Sequence, residues 1–201
     1  MRTARSHLAP AGLAAVLALT VSATAPAAAQ AATAAQPVTA PVTASVATQS
    51  VQAWHASAQD RAYLRQAHRG NLAEIAAGQA ALRRSHDRDV RAIAWRLIRD
   101  HRKLDSRLRE TAHRLHVGLP GSPSAGQRDS LDAVLDQRSG HRFDRAWLRL
   151  QATAHEQALA LGARELRRGH SGWVRDLARD SAPVIRHHLH EVRAELYHHS
   201  H

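Results

Sequence analysis

Three histidines and one glutamate occupy positions where helical periodicity predicts apolar side chains. One seam alternates spacings of four and three residues and has a histidine at its centre: Val90, Ala94, Leu97, His101, Leu104 and Leu108. Glu74, His155 and His188 hold the same kind of position in three other amphipathic segments. Imidazole nitrogens and a carboxylate oxygen are suitable ligands for Zn, Fe, Mn or Cu. These four residues therefore predict a single divalent metal ion in the protein interior.

The axial positions of the four residues are consistent with one shared site. At a rise of about 1.5 Å per residue, Glu74 and His101 lie roughly 16 and 24 Å from the turn that joins their segments. His155 and His188 lie roughly 22 and 27 Å from the turn between theirs. All four therefore fall in the middle third of the helices, whether the two hairpins are joined by a short or a long connection.

A second interpretation of these residues needs no metal. Burying a carboxylate and three imidazoles without partners is unfavourable, so the four groups either bind an ion or satisfy one another in a hydrogen-bond network with a buried water. Asp105 follows His101 by four residues on the same helix face. We expect Asp105 to orient the His101 imidazole, although an ion pair with an arginine is an equal alternative for its carboxylate.

The elements that carry these residues are predicted to be helices throughout. Aromatic residues make up 3% of the chain and no alternating β-branched runs occur, so strand signals are missing. The stretch GLPGSPSAG ends the second long helix. Long helices are predicted near 57–84, 87–116, 142–168 and 171–197, with a short one near 127–137. The fold class is therefore all-α, with a four-helix bundle over residues 57–197.

The N-terminus has the features of a signal peptide. Arg2 and Arg5 precede an apolar run that is too short to span a membrane comfortably, and Ala27–Ala29 offers a cleavage site. We expect cleavage after Ala29, which makes residues 1–29 a signal peptide and places the protein outside the cell or in the periplasm or cell envelope. Residues 30–56 are predicted to be a disordered Ala/Thr/Pro linker. No second apolar run of membrane length follows, so we expect no transmembrane segment in the mature protein.

The chain is strongly basic, with a formal net charge of +11 that falls to +9 once Arg2 and Arg5 are removed. An Arg-rich exterior attracts anionic envelope polymers or lipid headgroups, although a simply solvated helix surface accounts for the same composition. No nucleic-acid motif accompanies the arginines, so nucleic acid is not an expected partner. Residues 198–201 form a His-rich tail which, together with His187 and Glu191, could capture Zn or Cu at the surface.

Four sequence motifs carry a resemblance to a known family. They are NLAEIAAGQAAL, VRAIAWRLIRDH, FDRAWLRLQATAH and APVIRHHLHE, and they contain Glu74, His101, His155 and His188 in that order. Over about Asp60–Leu196 the chain resembles the secreted ferritin-like domain of unknown function family four-one-four-two, whose members are often labelled outer membrane proteins. Within the fourth motif, the resemblance identifies the family histidine as His188 rather than His187.

The resemblance implies a ferritin-like bundle with a long crossover between the second and third long helices. It supplies no reaction, because the role of the family is unassigned. A carboxylate-bridged di-iron site would require Glu-x-x-His on two helices. Ile98 and Ile185 stand where those glutamates would be. We therefore do not expect di-iron oxidase or iron-storage chemistry.

Three functional interpretations stay open at this point. The first is an exported binding or envelope-associated module that holds one metal ion in its core. The second is a metal-dependent redox or stress-protection enzyme that uses the same site. The third is a structural bundle with a buried polar network and no ligand. A non-enzymatic role is favoured, because the sequence has no nucleophile–base pair, phosphate-binding glycine loop or closely paired acid/base carboxylates.

Overall fold

The computed structural model describes residues 55–200, and within this range the chain is entirely helical, as predicted. The helices are α1 (Ala58–Arg84), α2 (Arg88–Arg114), α3 (Ala125–Leu135), α4 (His141–Arg168) and α5 (Gly172–His198). Each begins and ends within two residues of the limits that we inferred from periodicity and capping signals. The predicted signal peptide, most of the predicted linker and His201 lie outside the described residues.

Local sequence signals explain where the helices begin. Ser57 accepts a hydrogen bond from the Asp60 backbone N–H, and the Asp60 carboxylate accepts one from the Ser57 N–H, which is a complete capping box. Ser124 and Gln127 form the same motif at the start of α3. Asp87 caps α2 by accepting from two backbone N–H groups. These side chains satisfy backbone donors that have no partner within the first helical turn.

The helices pack as two hairpins laid against each other. The most extensive contacts join α1 with α2 and α4 with α5. The hairpins meet where α1 packs on α4 and where α2 packs on α5. The short helix α3 rests on α4 and α1. The result is a helical bundle in which α3 covers the groove between α1 and α4.

Two apolar clusters fill the interior at opposite ends. The first core cluster surrounds the α1–α2 turn and includes Ala81, Val90, Phe143, Trp147, Leu148 and Val192. The second core cluster surrounds the α4–α5 turn and includes Tyr63, Leu64, Leu108, Ala112, Val174 and Leu177. Polar residues separate the two clusters, so the bundle has a polar layer midway along its length.

The positions of the clusters also fix the direction of each helix. The end of α2 contributes Ala112 to the second core cluster, whereas the start of α4 contributes Phe143 to the first. Residues 115–140 must therefore run from one end of the bundle to the other, carrying α3 on the way. As a consequence α2 and α4 point in the same direction, and each of the four main packing pairs is antiparallel.

The exterior carries exposed ion pairs between helices. Arg107 contacts Asp180 at 2.6 Å, and Arg193 contacts Glu156 at 2.8 Å. Exposed pairs of this kind contribute little to stability, because water and salt screen them. None of the helices in the described range combines the length and the apolar character that crossing a bilayer requires.

Candidate metal centre

Three histidines from three helices meet in the polar layer between the two core clusters. His101 of α2, His155 of α4 and His188 of α5 are 3%, 1% and 0% exposed. Their ring centroids lie 5.5, 5.4 and 5.5 Å apart for the pairs His101–His155, His101–His188 and His155–His188. One nitrogen from each ring lies within 4.8 Å of the other two. The three imidazoles therefore converge on one point, at the corners of a nearly equilateral triangle.

Two of these rings are held by oxygen acceptors on the side away from that point. His101 Nδ1 donates to the Asn71 side-chain oxygen at 3.0 Å. His155 Nδ1 donates to the Gln151 backbone carbonyl at 2.8 Å, one turn earlier in its own helix. Carbonyl oxygens only accept hydrogen bonds, so each of these Nδ1 atoms carries the proton. The opposite nitrogen of each neutral ring keeps its lone pair.

The third ring is held by a carboxylate. His188 Nε2 lies 3.1 Å from Asp100 Oδ2 on the adjacent helix. Hydrogen bonds from Arg99 hold the pKa of Asp100 at about 2, so the carboxylate stays charged and keeps the proton on His188 Nε2. A carboxylate that orients the outer nitrogen of an imidazole is a regular feature of metal sites.

The inner nitrogens have no hydrogen-bond partner. His101 Nε2, His155 Nε2 and His188 Nδ1 are all buried and unpaired. Burial lowers the pKa of His101 and of His188, which keeps both rings neutral at pH 7. Buried polar atoms are ordinarily hydrogen-bonded, so three convergent lone pairs without partners are unusual. As a donor set they fit a divalent metal ion.

Glu74 of α1 lies close to His155 and lines the same cavity as His101 and His155. Its Oε1 atom is 3.9 Å from His155 Nδ1, which is too long for a hydrogen bond, and its Oε2 atom has no partner. Burial raises the pKa of the Glu74 carboxyl group. The structure thus brings all four predicted residues into one layer, but only the histidines form the close group of potential ligand atoms.

Asp105 does not orient His101, which corrects the expectation from sequence. Its Oδ1 atom lies 2.6 Å from His68 Nδ1, and His68 Nε2 lies 3.0 Å from the Pro120 carbonyl. The reason is the antiparallel register of α1 and α2. Asn71 faces His101, so the residue one turn later on α2 faces His68, one turn earlier on α1.

A cavity of about 540 Å³ reaches this layer from the groove between α1 and α4. Its inner wall includes Asn71, Glu74, His101, Gln151 and His155, whereas His188 is not part of the lining. Residues of α3 cover its outer side. The cavity therefore reaches the candidate site from beneath α3, and the two core clusters lie at its ends.

The histidines near the C-terminus lie apart from this centre. His187 is exposed and its Nε2 is 3.5 Å from Glu191 Oε1. His199 Nε2 is 3.1 Å from Glu195 Oε1 and 3.7 Å from Asp87 Oδ2, and these three residues form a second, partly exposed group of potential ligands. This peripheral group lies by the α1–α2 turn, beyond the first core cluster.

Three contacts of the site were not predicted from sequence. Asn71 lies in the α1 seam three residues before Glu74, so its position was a usable signal. Asp100 directly precedes His101 but lies off the seam, and its contact with His188 arises only from the packing of α5. Gln151 acts through its backbone carbonyl, which every residue possesses, so no sequence signal could identify it.

A family model and one solved helical structure match this chain. A family model described as Domain of unknown function (DUF4142) matches residues 44–194. The chain is also similar to the crystal structure of a DUF305 fragment from Deinococcus radiodurans, with 18% identity and a TM-score of 0.64 over 72% of this chain and 99% of that one. At this identity the similarity shows the fold alone. No curated protein matches the chain.

Proposed function

The chain belongs to the DUF4142 family of domains of unknown function, and from the geometry of its core we propose that it binds one divalent metal ion through His101, His155 and His188. The observation that carries this proposal is the pairing pattern of the three rings. One nitrogen of each ring is bonded to an oxygen acceptor and the other is buried and unpaired, and one nitrogen from each ring lies within 4.8 Å of the other two. Metal-binding histidines are arranged in this way.

The donor set narrows the choice of ion. Neutral imidazole nitrogens suit Zn, Cu and Fe better than Mg or Ca, which prefer oxygen ligands. Three histidines leave room for a further ligand, and the buried Glu74 carboxyl group, 3.9 Å from His155 Nδ1, is a candidate to supply it. In that role Glu74 would bring one negative charge to an ion that is otherwise held by neutral groups.

We further propose that the architecture is a ferritin-like four-helix bundle with a long crossover between α2 and α4. The shared direction of these two helices and the antiparallel packing of the hairpins support it. Ile98 and Ile185 are buried at the positions where a di-iron site would have glutamates. The absence of bridging carboxylates at these two positions supports one ion rather than two.

The cellular setting is proposed from the sequence. We expect residues 1–29 to act as a signal peptide that is cleaved after Ala29, which leaves residues 30–56 as a disordered Ala/Thr/Pro segment before the bundle. The Arg-rich exterior favours anionic envelope polymers or lipid headgroups as partners. Within this setting the protein is an exported metal-binding module of the cell envelope. The cavity beside the histidines favours a second candidate, a metal-dependent redox enzyme.

Metal analysis of untagged protein tests the proposal. After reconstitution with Zn²⁺ and removal of loosely bound ions, we expect about one ion per chain in the wild type. His155→Ala and His188→Ala should lose it, whereas His187→Ala, an exposed neighbour on the same helix as His188, should keep it. Folded wild type that holds no ion would support the polar-network interpretation. Ion that is lost in His199→Ala but kept in His155→Ala would assign binding to the peripheral group.

A further inference from the structure

The peripheral group of Asp87, Glu195 and His199 joins two distant parts of the chain. Glu195 lies in the last turn of α5 and His199 is the C-cap of that helix, whereas Asp87 is the N-cap of α2. His199 Nε2 lies 3.1 Å from Glu195 Oε1 and 3.7 Å from Asp87 Oδ2. One potential ligand atom from each residue lies within 4.8 Å of the other two. One imidazole nitrogen therefore faces two carboxylates where the end of α5 meets the start of α2.

Contacts outside the group hold two of its side chains in place. Asp87 Oδ1 accepts hydrogen bonds of 2.8 and 2.9 Å from two backbone N–H groups in the first turn of α2, which leaves Oδ2 for the group. The His199 ring stacks on the ring of His141 at the start of α4, with centroids 5.1 Å apart. The side chains of His199 and Glu195 are only 9% and 14% exposed. Binding of an ion here therefore costs little side-chain entropy.

The charges of the group favour a cation. Within residues 55–200, neither Asp87 nor Glu195 forms an ion pair with an arginine or a lysine, and the His199 ring is the basic partner that both carboxylates share. One imidazole, even when protonated, balances only one of two carboxylates. The backbone carbonyls at the C-terminal end of a helix add partial negative charge, and His199 lies at that end of α5. Uncompensated negative charge therefore remains at this junction.

The donor set indicates which cation fits. Mg²⁺ and Ca²⁺ prefer oxygen ligands alone, whereas one imidazole nitrogen with two carboxylate oxygens suits Zn²⁺. Two carboxylates also balance the charge of a divalent ion, so no further anion is needed. The Asp87 side chain is 35% exposed, so water can reach the ion and supply a fourth ligand. Because water also competes for the ion, we expect weaker binding here than at the three buried histidines.

We propose that the peripheral group is a second Zn²⁺ site, which joins the C-terminal end of α5 to the start of α2. Its ligands are His199 Nε2 and the carboxylates of Asp87 and Glu195, with water in the remaining position. The peripheral group shares no ligand with the three-histidine centre, so the second site does not depend on the first. Because its ion is held more weakly, removal of loosely bound ions leaves only the ion of the three-histidine centre.

Titration of untagged protein with Zn²⁺, in competition with a chelator, tests the second site. The wild type should bind two ions in succession, the second more weakly than the first. His199→Ala and Glu195→Gln should each weaken binding of the second ion at least tenfold, because each removes a ligand or its charge, and should leave the first unchanged. His198→Ala, which changes an exposed neighbour, is the matched control and should alter neither ion.

Amide hydrogen exchange tests whether the ion joins the two segments. The experiment uses His155→Ala, because an ion at the three-histidine centre would itself stabilise α5 through His188. Zn²⁺ should slow exchange in the last turn of α5 at least tenfold, and it should have no effect when His199→Ala is added. Mg²⁺ at the same concentration should slow nothing. If circular dichroism shows that His155→Ala is unfolded, wild type with its first ion already bound takes its place.

The two metal proposals fail in different ways. A wild type that binds one Zn²⁺, lost in His155→Ala, leaves the three-histidine centre intact and overturns the peripheral site. One Zn²⁺ that is lost in His199→Ala but kept in His155→Ala does the reverse. A second ion whose affinity is unchanged in His199→Ala would belong to other histidines near the C-terminus, and it would overturn the peripheral site as well.

Discussion

Asp100 Oδ2 lies 3.1 Å from His188 Nε2 across the α2–α5 interface, while the residue that follows it, His101, enters the same polar layer. Two consecutive residues of α2 thus serve one site in different ways. His101 presents an unpaired ring nitrogen, and Asp100 fixes the orientation of a ring on another helix. Arg99 in turn holds the Asp100 carboxylate through hydrogen bonds of 2.8 and 3.0 Å.

Removing the Asp100 carboxylate should weaken the metal centre without destroying it. Asp100→Ala frees the His188 ring to rotate and to change its proton position, and outer partners of metal-bound histidines typically contribute about 10- to 100-fold in affinity. Competition with a chromogenic chelator would measure the change. Glu110→Ala, which removes an exposed carboxylate from the same helix, is the control and should leave affinity unchanged. An unaltered affinity in Asp100→Ala would argue against the assigned role of Asp100.

Asn71 and Asp105 should differ in their effect on metal binding. Asn71→Ala removes the hydrogen-bond partner of His101 and should lower Zn²⁺ affinity about tenfold or more. Asp105→Asn alters the contact with His68 and should lower the free energy of unfolding by about 1–3 kcal/mol, with affinity changed less than twofold. Chelator competition and urea unfolding measure the two quantities. Loss of affinity in Asp105→Asn would restore the role expected from sequence.

The buried Glu165 should make stability depend on pH. Burial and, second, a hydrogen bond to Asp60 raise the pKa of Glu165 from 4.5 to about 7. The folded state therefore binds more protons than the unfolded state between these values, so stability falls as pH rises from about 5 towards 7 and then levels off. In Glu165→Gln this contribution is absent. The free energy of unfolding of the variant, relative to that of the wild type, should therefore rise by about 1–3 kcal/mol between pH 5 and pH 8.

Urea unfolding of both proteins at the two pH values gives this difference directly. The comparison cancels the titration of histidines elsewhere, because both proteins share them. Gln59, which donates to Glu165 Oε2 at 3.0 Å, offers a control variant. Gln59→Ala removes a neighbour of the carboxyl group but not the group itself, so stability should still fall as pH rises. A constant difference between wild type and Glu165→Gln would mean that Glu165 has an ordinary pKa.

Two glycines within helices should respond in opposite ways to alanine. A Cβ atom on Gly78 would lie 2.7 Å from Ile98 Cγ1 and 3.1 Å from the Ala94 carbonyl oxygen, so α1 and α2 would have to move apart. The nearest such atom for Gly162 is 3.9 Å away. Gly78→Ala should lower the free energy of unfolding by about 1–3 kcal/mol. Gly162→Ala should raise it by up to about 1 kcal/mol, because alanine has the higher helix propensity. Thermal unfolding of both variants checks this, and equal shifts would contradict the close packing.

The sequence contains most of the information about the helices, because amphipathic periodicity and capping are local properties. Ser57, Asp87 and Ser124 each precede a helix that begins where the capping signal indicates. The presence of Glu74 and His101 in apolar seams likewise predicted a polar layer. Both inferences need only the rise along each helix and the position of the turns that join them.

The pairing of residues across helices could not be predicted in this way. A shift of one turn between α1 and α2 decides whether His101 meets Asn71 or another residue, and this shift depends on packing such as the close approach at Gly78. The cavity also depends on tertiary structure. It exists because α3 packs across α4 and α1. The sequence of α3 alone does not specify where this helix packs.

The three convergent nitrogens come from both halves of the chain, one from the first hairpin and two from the second. An unfolded or half-assembled chain consequently offers no more than a pair of them in the correct arrangement. Binding of an ion would then be a late step in folding that links the first hairpin to the second. The ion bound would be one that is available in the compartment where folding is completed.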